Sequence, residues 1–176
     1  MPHLKGSCHC GAVRFSLFSR AAVPYLRCYC SICRKTAGGG GYAINLSGEA
    51  ASLKVEGEAH LSVYQAKGTG RDPEEVSPSR RHFCKHCGAA LYVFDPRWPE
   101  LVHPFASAID TPLPAAPESV FIMLDSKPAW VKLPADAKGA NRFADYPDES
   151  LADWHRAHGL YDESDPKASK KDKGSA

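Results

Sequence analysis

The sequence predicts a mainly β protein built from short antiparallel strands, with one short helix near the C-terminus. Glycine and proline occur 14 times each among 176 residues, so the chain is interrupted too often for long helices. Between these residues lie short segments in which apolar and polar side chains alternate, as in a half-buried strand. A single later segment has helical spacing instead.

Six segments carry the strand pattern. In the first of them, Val13, Phe15 and Leu17 fall on one face of an extended chain, while Arg14 and Ser16 fall on the other. The remaining five show similar alternation and are bounded by turn residues. In chain order the six are AVRFSLF (12–18), YAINL (42–46), SLKVEG (52–57), HLSVYQ (60–65), ALYVF (90–94) and SVFIML (119–124). Six or more short strands favour an all-β core.

The helix is predicted in the segment YPDESLADWHRAHGLY. Leu151 and Trp154 lie three residues apart on one helix face, and the acidic residues before them suit the positive end of the helix dipole. Gly159 is placed to end the helix. We therefore expect a domain over 1–134, a C-terminal extension with a short helix over 135–161, and a flexible charged tail over 162–176. The tail lacks large apolar side chains that could order it.

The composition is that of a soluble globular protein, with 43% hydrophobic and 24% charged residues. No apolar run approaches the roughly 18 residues that span a bilayer, so no membrane role is expected. The N-terminal MPHLKGSCHCG has no apolar segment of a secretion signal, and we expect a cytoplasmic protein. A net charge of +2 without a strong Lys/Arg cluster argues against nucleic acid as a partner.

Seven cysteines dominate the chemistry of the sequence. They form three groups: a CxC pair (Cys8, Cys10), a CxCxxC group (Cys28, Cys30, Cys33) and a CxxC pair (Cys84, Cys87). An odd number cannot all pair internally, and cytosolic thiols stay reduced unless they bind metal or act catalytically. The tight clustering therefore favours metal binding over disulfides.

The three groups can be combined in two ways. The CxC and CxxC pairs together supply the four thiolates of a closed structural zinc site, which leaves the CxCxxC group as a three-thiolate site. Alternatively, Cys30 and Cys33 join the CxxC pair as a zinc ribbon, which leaves three cysteines from two separate places. The first combination keeps every motif whole and is the preferred one.

A site with three protein ligands has an open position, as catalytic zinc does. Three thiolates leave a zinc ion with a formal charge of −1, so it favours a soft incoming ligand such as a thiolate. We therefore expect thiol activation toward a carbonyl rather than hydrolysis. The alternative is a second structural site that a histidine completes, for which His9, His82 and His86 are placed.

The motifs GSCHCGAVRF, CYCSICRKTAG, RHFCKHCGAALY and DSKPAW resemble the glutathione-dependent formaldehyde-activating enzyme family and its centromere-protein-V relatives. The resemblance runs from about Leu4 to Leu133. It implies a β-tent fold with two Zn²⁺ ions, the structural one held by Cys8, Cys10, Cys84 and Cys87. The catalytic ion is then held by Cys28, Cys30 and Cys33, and the ribbon is disfavoured.

The resemblance also implies a reaction. The family condenses formaldehyde with glutathione to S-(hydroxymethyl)glutathione, formally a carbon–sulfur lyase run in reverse, so a small thiol and an aldehyde are the expected partners. Arg34, Lys35 and Arg81 are candidates to receive a glutathione carboxylate, or else to balance the anionic zinc–thiolate cluster or remain solvated. Two alternatives stay open: the same chemistry with another thiol or carbonyl, and a non-catalytic zinc module that binds a partner.

Overall fold

The computed structural model describes residues 3–68, 74–116, 118–135, 137 and 139–160. In this part of the chain there are eleven β-strands and two α-helices. The strands are β1 (His3–Ser7), β2 (Arg14–Phe18), β3 (Tyr25–Cys28), β4 (Ala43–Asn45), β5 (Gly48–Glu49), β6 (Lys54–Glu56), β7 (Leu61–Tyr64), β8 (Arg80–Cys84), β9 (Ala90–Phe94), β10 (Leu101–Pro104) and β11 (Ser119–Ile122). The helices are α1 (Ser31–Ala37) and α2 (Leu151–Ala157). The predicted tail lies outside the described residues.

The strands form three sheets, which confirms the mainly β prediction. The largest sheet has the order β5-β10-β9-β8-β7 and is antiparallel throughout. A second antiparallel sheet has the order β1-β2-β6. In the third sheet, β11-β3-β4, the β3–β4 pair is antiparallel and β11 runs parallel to β3. That one pair departs from the expected antiparallel arrangement.

Each of the six predicted segments contains a strand, namely β2, β4, β6, β7, β9 and β11. The alternation in β2 is also confirmed, because Phe15 and Leu17 are buried while Arg14 and Phe18 are exposed. Burying each of these two apolar side chains contributes about 1.5–3 kcal/mol. Of the other five strands, β6 also alternates, with Val55 less exposed than Lys54 and Glu56, whereas β9 and β11 bury consecutive residues. Strand β8, which was not predicted, buries Arg81.

The two sets of cysteines pack in two different apolar clusters. The first contains Phe15, Leu91 and Tyr92, and Cys8 and Cys84 are buried within it. The second cluster contains two other cysteines. Its buried residues are Cys28, Cys33, Ala43, Val93, Phe105, Val120 and Ile122. Strand β9 contributes to both clusters, so the large sheet connects the surroundings of both cysteine sets.

Of the two α-helices, the sequence predicted α2 but not α1. Helix α2 confirms the predicted C-terminal helix: the Ser150 hydroxyl oxygen accepts a hydrogen bond from the Asp153 N–H, and Gly159 follows the helix with a φ of 66°. Helix α1 was not predicted. It begins inside the CxCxxC group and continues to Ala37, and Cys30 takes the N-cap position that a serine or asparagine more often fills.

The chain forms two compact units, Met1–Tyr146 and Pro147–Ala176. In the first unit, the segment after β11 bonds back to that strand, since the Phe143 N–H donates to the Phe121 carbonyl oxygen at 2.8 Å. The predicted boundary after residue 134 stays a prediction. Neither α-helix of the described chain has the length or apolar character to cross a bilayer.

Candidate metal centres

The CxC and CxxC pairs come together in one four-cysteine cluster. Cys8 and Cys10 lie in the turn between β1 and β2, while Cys84 ends β8 and Cys87 lies in the turn to β9. The four sulfur atoms all lie within 4.8 Å of one another. The cluster therefore joins two turns that are distant in the sequence.

The two turns share a backbone arrangement. The Gly11 N–H donates to the Cys8 carbonyl oxygen at 3.0 Å, and the Gly88 N–H donates to the Cys84 carbonyl oxygen at 2.9 Å. Both glycines have a positive φ, 75° and 72°, which other L-residues seldom adopt. Glycine after each cysteine pair lets the chain turn back while both sulfurs point the same way.

The donor set and its spacing fit a tetrahedral zinc ion. Four thiolates at a zinc–sulfur distance of about 2.3 Å stand about 3.8 Å apart. In the structure, the Cys10 sulfur lies 3.5 Å from that of Cys8 and 3.7 Å from that of Cys84. A disulfide would need about 2.05 Å. The spacing thus suits one shared ion better than sulfur–sulfur bonds.

The CxCxxC group forms a separate three-cysteine cluster, with its sulfurs also within 4.8 Å of one another. Cys28 ends β3, Cys30 caps α1 and Cys33 lies in the first turn of that helix. The Cys33 N–H donates to the Cys30 sulfur at 3.2 Å, which fixes the position of that sulfur. Cys28 and Cys33 are buried, whereas Cys30 is partly exposed, so the cluster opens to solvent on the Cys30 side.

The three thiols strongly influence one another. Hydrogen bonds from Cys28 and then Cys33 lower the pKa of Cys30 to about 2. The same interaction with Cys30 raises the pKa of Cys28, and its burial adds to this effect. Three sulfurs packed this closely therefore favour a shared negative charge, which is the electrostatic setting that a metal cation satisfies.

The structure brings no fourth ligand to the three-cysteine cluster within the described ranges. The histidines that sequence offered for this role have other neighbours. His82 stacks on Tyr92 with ring centroids 4.4 Å apart, and His86 is hydrogen-bonded to His60 at 2.8 Å. His9 lines a pocket beside Cys8. The zinc-ribbon alternative is likewise not the observed grouping, because Cys84 and Cys87 lie with Cys8 and Cys10.

An open pocket of about 350 Å³ is lined by Thr36 of α1, Arg81 and His82 of β8, and Phe105 after β10. None of the cysteines lines this pocket, but Phe105 also belongs to the apolar cluster that contains Cys28 and Cys33. Of these residues, sequence analysis named Arg81 and His82 but not Phe105, which comes from a distant segment and carried no signal.

Fold and site together define a mainly β protein with two cysteine clusters that could hold metal ions. The chain belongs to the glutathione-dependent formaldehyde-activating enzyme family, whose profile it matches over residues 3–123. A Halomonas elongata protein named as a glutathione-dependent formaldehyde-activating enzyme is 61% identical over 158 residues, which cover 89% of this chain and 97% of that protein. A crystal structure of a Rhodobacter sphaeroides protein aligns with a TM-score of 0.49 and 27% identity, covering 62% of this chain and 91% of that one.

Proposed function

We propose that the protein is a zinc-dependent carbon–sulfur lyase that joins a small thiol to an aldehyde when it runs in the synthetic direction. The observation that carries this proposal is the three-cysteine cluster, to which the described residues bring no fourth ligand and whose member Cys30 is partly exposed. The names of the family and of the Halomonas relative make glutathione and formaldehyde the first substrates to test.

The two clusters would have different tasks. The four-cysteine cluster would hold a structural zinc ion that ties the β1–β2 turn to the β8–β9 turn, and the free energy of metal binding would then stabilise the folded domain. The three-cysteine cluster would hold the catalytic zinc ion. Its partly exposed member, Cys30, marks the side from which a thiol can approach.

When bound by three thiolates, a zinc ion lowers the pKa of an incoming thiol and leaves its sulfur nucleophilic. In the net reaction, the thiol sulfur forms a bond to the aldehyde carbon and the carbonyl π electrons move to oxygen. The proton that the thiol loses ends on the new hydroxyl group. The protein's own contribution would be to hold thiol and aldehyde together at the exposed side of the three-cysteine cluster, which replaces a chance encounter by a positioned one.

The experiment must separate catalysis from the uncatalysed addition, which already proceeds in water. Exchange NMR on labelled formaldehyde and glutathione at equilibrium measures how fast the adduct forms and breaks. We expect the zinc-loaded protein to raise this exchange rate in proportion to its concentration. The matched variant is Cys30→Ser, which removes the exposed ligand of the three-cysteine cluster and should abolish the increase.

Two other results would redirect the proposal. An increase in rate with a different thiol or aldehyde, but not with glutathione and formaldehyde, would keep the chemistry and change the substrates. No increase with any thiol, despite a full complement of zinc, would overturn the lyase and favour a zinc module that binds a partner.

A further inference from the structure

Two histidine rings meet at the surface beside the four-cysteine cluster. The Nε2 atom of His86 lies 2.8 Å from the Nδ1 atom of His60, and the ring centroids are 4.7 Å apart. The ring planes are inclined at 52°, so the rings do not stack face to face. Two nitrogens of the residue type that most often binds metal therefore point at one another.

The backbone holds both histidines in place. His60 ends a short 3₁₀ helix, and the next residue, Leu61, pairs with Cys84 across β7 and β8. The Lys85 N–H donates to the His60 carbonyl oxygen at 2.9 Å, one residue before His86. Each ring thus stands on backbone that the β7–β8 pair fixes, and the approach of the two nitrogens is a property of that pair.

The distance between the two nitrogens suits one class of metal ion. At a metal–nitrogen distance of about 2.1 Å, two imidazole ligands stand about 3.0 Å apart at a right angle and about 3.4 Å apart at the tetrahedral angle. The observed 2.8 Å is closer to the right-angled value. Right angles occur in the square-planar and tetragonal geometries typical of Ni²⁺ and Cu²⁺, whereas zinc favours the tetrahedron.

The pair is also open to solvent. His86 is exposed and His60 is partly exposed. Among the described residues, no third cysteine, histidine or carboxylate completes a metal-binding group with them. An ion held there would therefore keep water in its other positions and would exchange with free ions, unlike an ion enclosed by four thiolates.

A simple hydrogen bond between the rings is the competing explanation. It needs one of the facing nitrogens to carry a proton, whereas a shared metal ion needs both of them to present a lone pair. Each ring meets the second requirement without a change of charge when its proton sits on the nitrogen that faces away. A hydrogen bond of this kind contributes only about 0.5–1.5 kcal/mol, so two metal–nitrogen bonds readily offset its loss.

We propose that His60 and His86 form a third metal site, which binds a divalent ion of the Ni²⁺ or Cu²⁺ type through two neutral imidazoles. This inference does not depend on the proposed lyase activity. His86 lies between Cys84 and Cys87 in the sequence, so the site adjoins the four-cysteine cluster but uses none of its sulfurs. Hard ions that prefer oxygen ligands, such as Mg²⁺ and Mn²⁺, are not expected to bind.

The test is a calorimetric titration of untagged, full-length, zinc-loaded protein with Ni²⁺, after excess zinc has been removed. Ni²⁺ is the probe because Cu²⁺ would oxidise the cysteines. The variants are His60→Ala, His86→Ala and the control His9→Ala. His9 is exposed and lies between the cysteines of the CxC pair, as His86 lies between those of the CxxC pair. The control therefore removes a lone histidine from the corresponding place in the other turn.

We expect the parent protein and His9→Ala to bind one Ni²⁺ ion per chain without releasing zinc, which elemental analysis of the ultrafiltrate measures. The affinity of His60→Ala and of His86→Ala should fall by more than about tenfold, the smallest loss usual even for a residue that only orients a metal ligand. Mn²⁺ should not compete. In NMR spectra, paramagnetic Ni²⁺ should broaden the ring signals of His60 and His86 before those of His9.

Three results would overturn the inference. An equal nickel affinity of the parent protein and either His60→Ala or His86→Ala would show that the two rings do not share the ion. Release of zinc in proportion to added nickel would place the nickel at the cysteine clusters. No nickel binding by the parent protein would leave the two rings as a hydrogen-bonded pair.

Discussion

Cys30 and Cys84 represent the two kinds of cysteine in this protein. Cys30 is partly exposed at the head of α1, in a cluster of three, whereas Cys84 is fully buried in the core, in a cluster of four. A ligand at an open site can be lost without unfolding the domain. A ligand at a closed site that joins distant turns cannot, because metal binding at such a site would be coupled to folding.

Replacing each of these residues by serine should therefore give different results. We expect Cys30→Ser to retain its fold and lose about one zinc ion per chain. Cys84→Ser should lose stability on the order of several kcal/mol, or fail to fold, because it opens the closed site. Elemental analysis and thermal unfolding check both expectations. An equal loss of thermal stability in the two variants would contradict the division into structural and catalytic sites.

Asp95 is a second residue whose environment allows a quantitative prediction. Burial opposes its ionisation, but hydrogen bonds from Arg97 and Ser79 outweigh that effect and lower its pKa to about 2. The ordinary value is 3.8. The ionised carboxylate therefore stabilises the folded state at every pH above about 4, and this contribution is lost as the pH falls from there toward 2.

Asp95→Asn should lower the free energy of unfolding at pH 7 by about 1–2 kcal/mol. The estimate is below the full value of the shift because Arg97 is half exposed and solvent screens its charge. Denaturant unfolding of both proteins at pH 7, 5 and 3 measures the difference. It should be constant between pH 7 and 5 and smaller at pH 3; a difference that grows at low pH would contradict the assignment.

At the scale of elements, the turns after the CxC and CxxC pairs explain how four cysteines from two strand pairs come together in one cluster. An ideal Cβ on Gly88 would meet no atom within 4 Å, so space does not require glycine there. The requirement comes from the positive φ, which a side chain disfavours by about 1–2 kcal/mol. The backbone conformation of the turn, rather than close packing, therefore selects the residue.

Gly88→Ala should accordingly weaken the four-cysteine site. We expect a stability loss of about 1 kcal/mol and faster removal of one zinc ion by a chelator, followed with a metal-sensitive dye. Gly39→Ala is the control, since Gly39 also has open space but no left-handed φ. It should change stability by less than about 0.5 kcal/mol. A similar effect of both substitutions would argue against the turn as the cause.

Some strands and helices could be predicted from the sequence and others could not. Alternation identified β2 because its faces divide cleanly between core and solvent. The apolar character of β9 identified that strand although three consecutive residues of it are buried. It could not identify β8, where a charged residue, Arg81, is buried, nor the two-residue β5, which exists only through its partner β10. Helix α1 was hidden because Cys30, a residue with little capping preference, begins it. Strands β5 and β8 depend on partners or burial that the local pattern does not show, whereas α1 was missed for a local reason.

For the whole molecule, cysteine spacing favoured the grouping of sulfurs that the structure contains but left the zinc ribbon open, and the family resemblance decided between the two. The pocket lined by Thr36, Arg81 and Phe105 was not predictable in the same way. It combines α1, β8 and the segment after β10, and the strand order β10-β9-β8 brings the last two of these into one sheet. The sequence therefore indicates the metal chemistry well, while the substrate contacts need the fold.

The central claim is that one chain carries a closed and an open metal site. Cadmium NMR of the cadmium-substituted protein tests it most directly, because the metal itself reports its ligands. We expect two cadmium resonances. That of the four-cysteine cluster should not change when glutathione is added, and that of the three-cysteine cluster should shift toward the position of a four-sulfur site. The second should be absent from Cys30→Ser. A single resonance, or two that both ignore the thiol, would contradict the account.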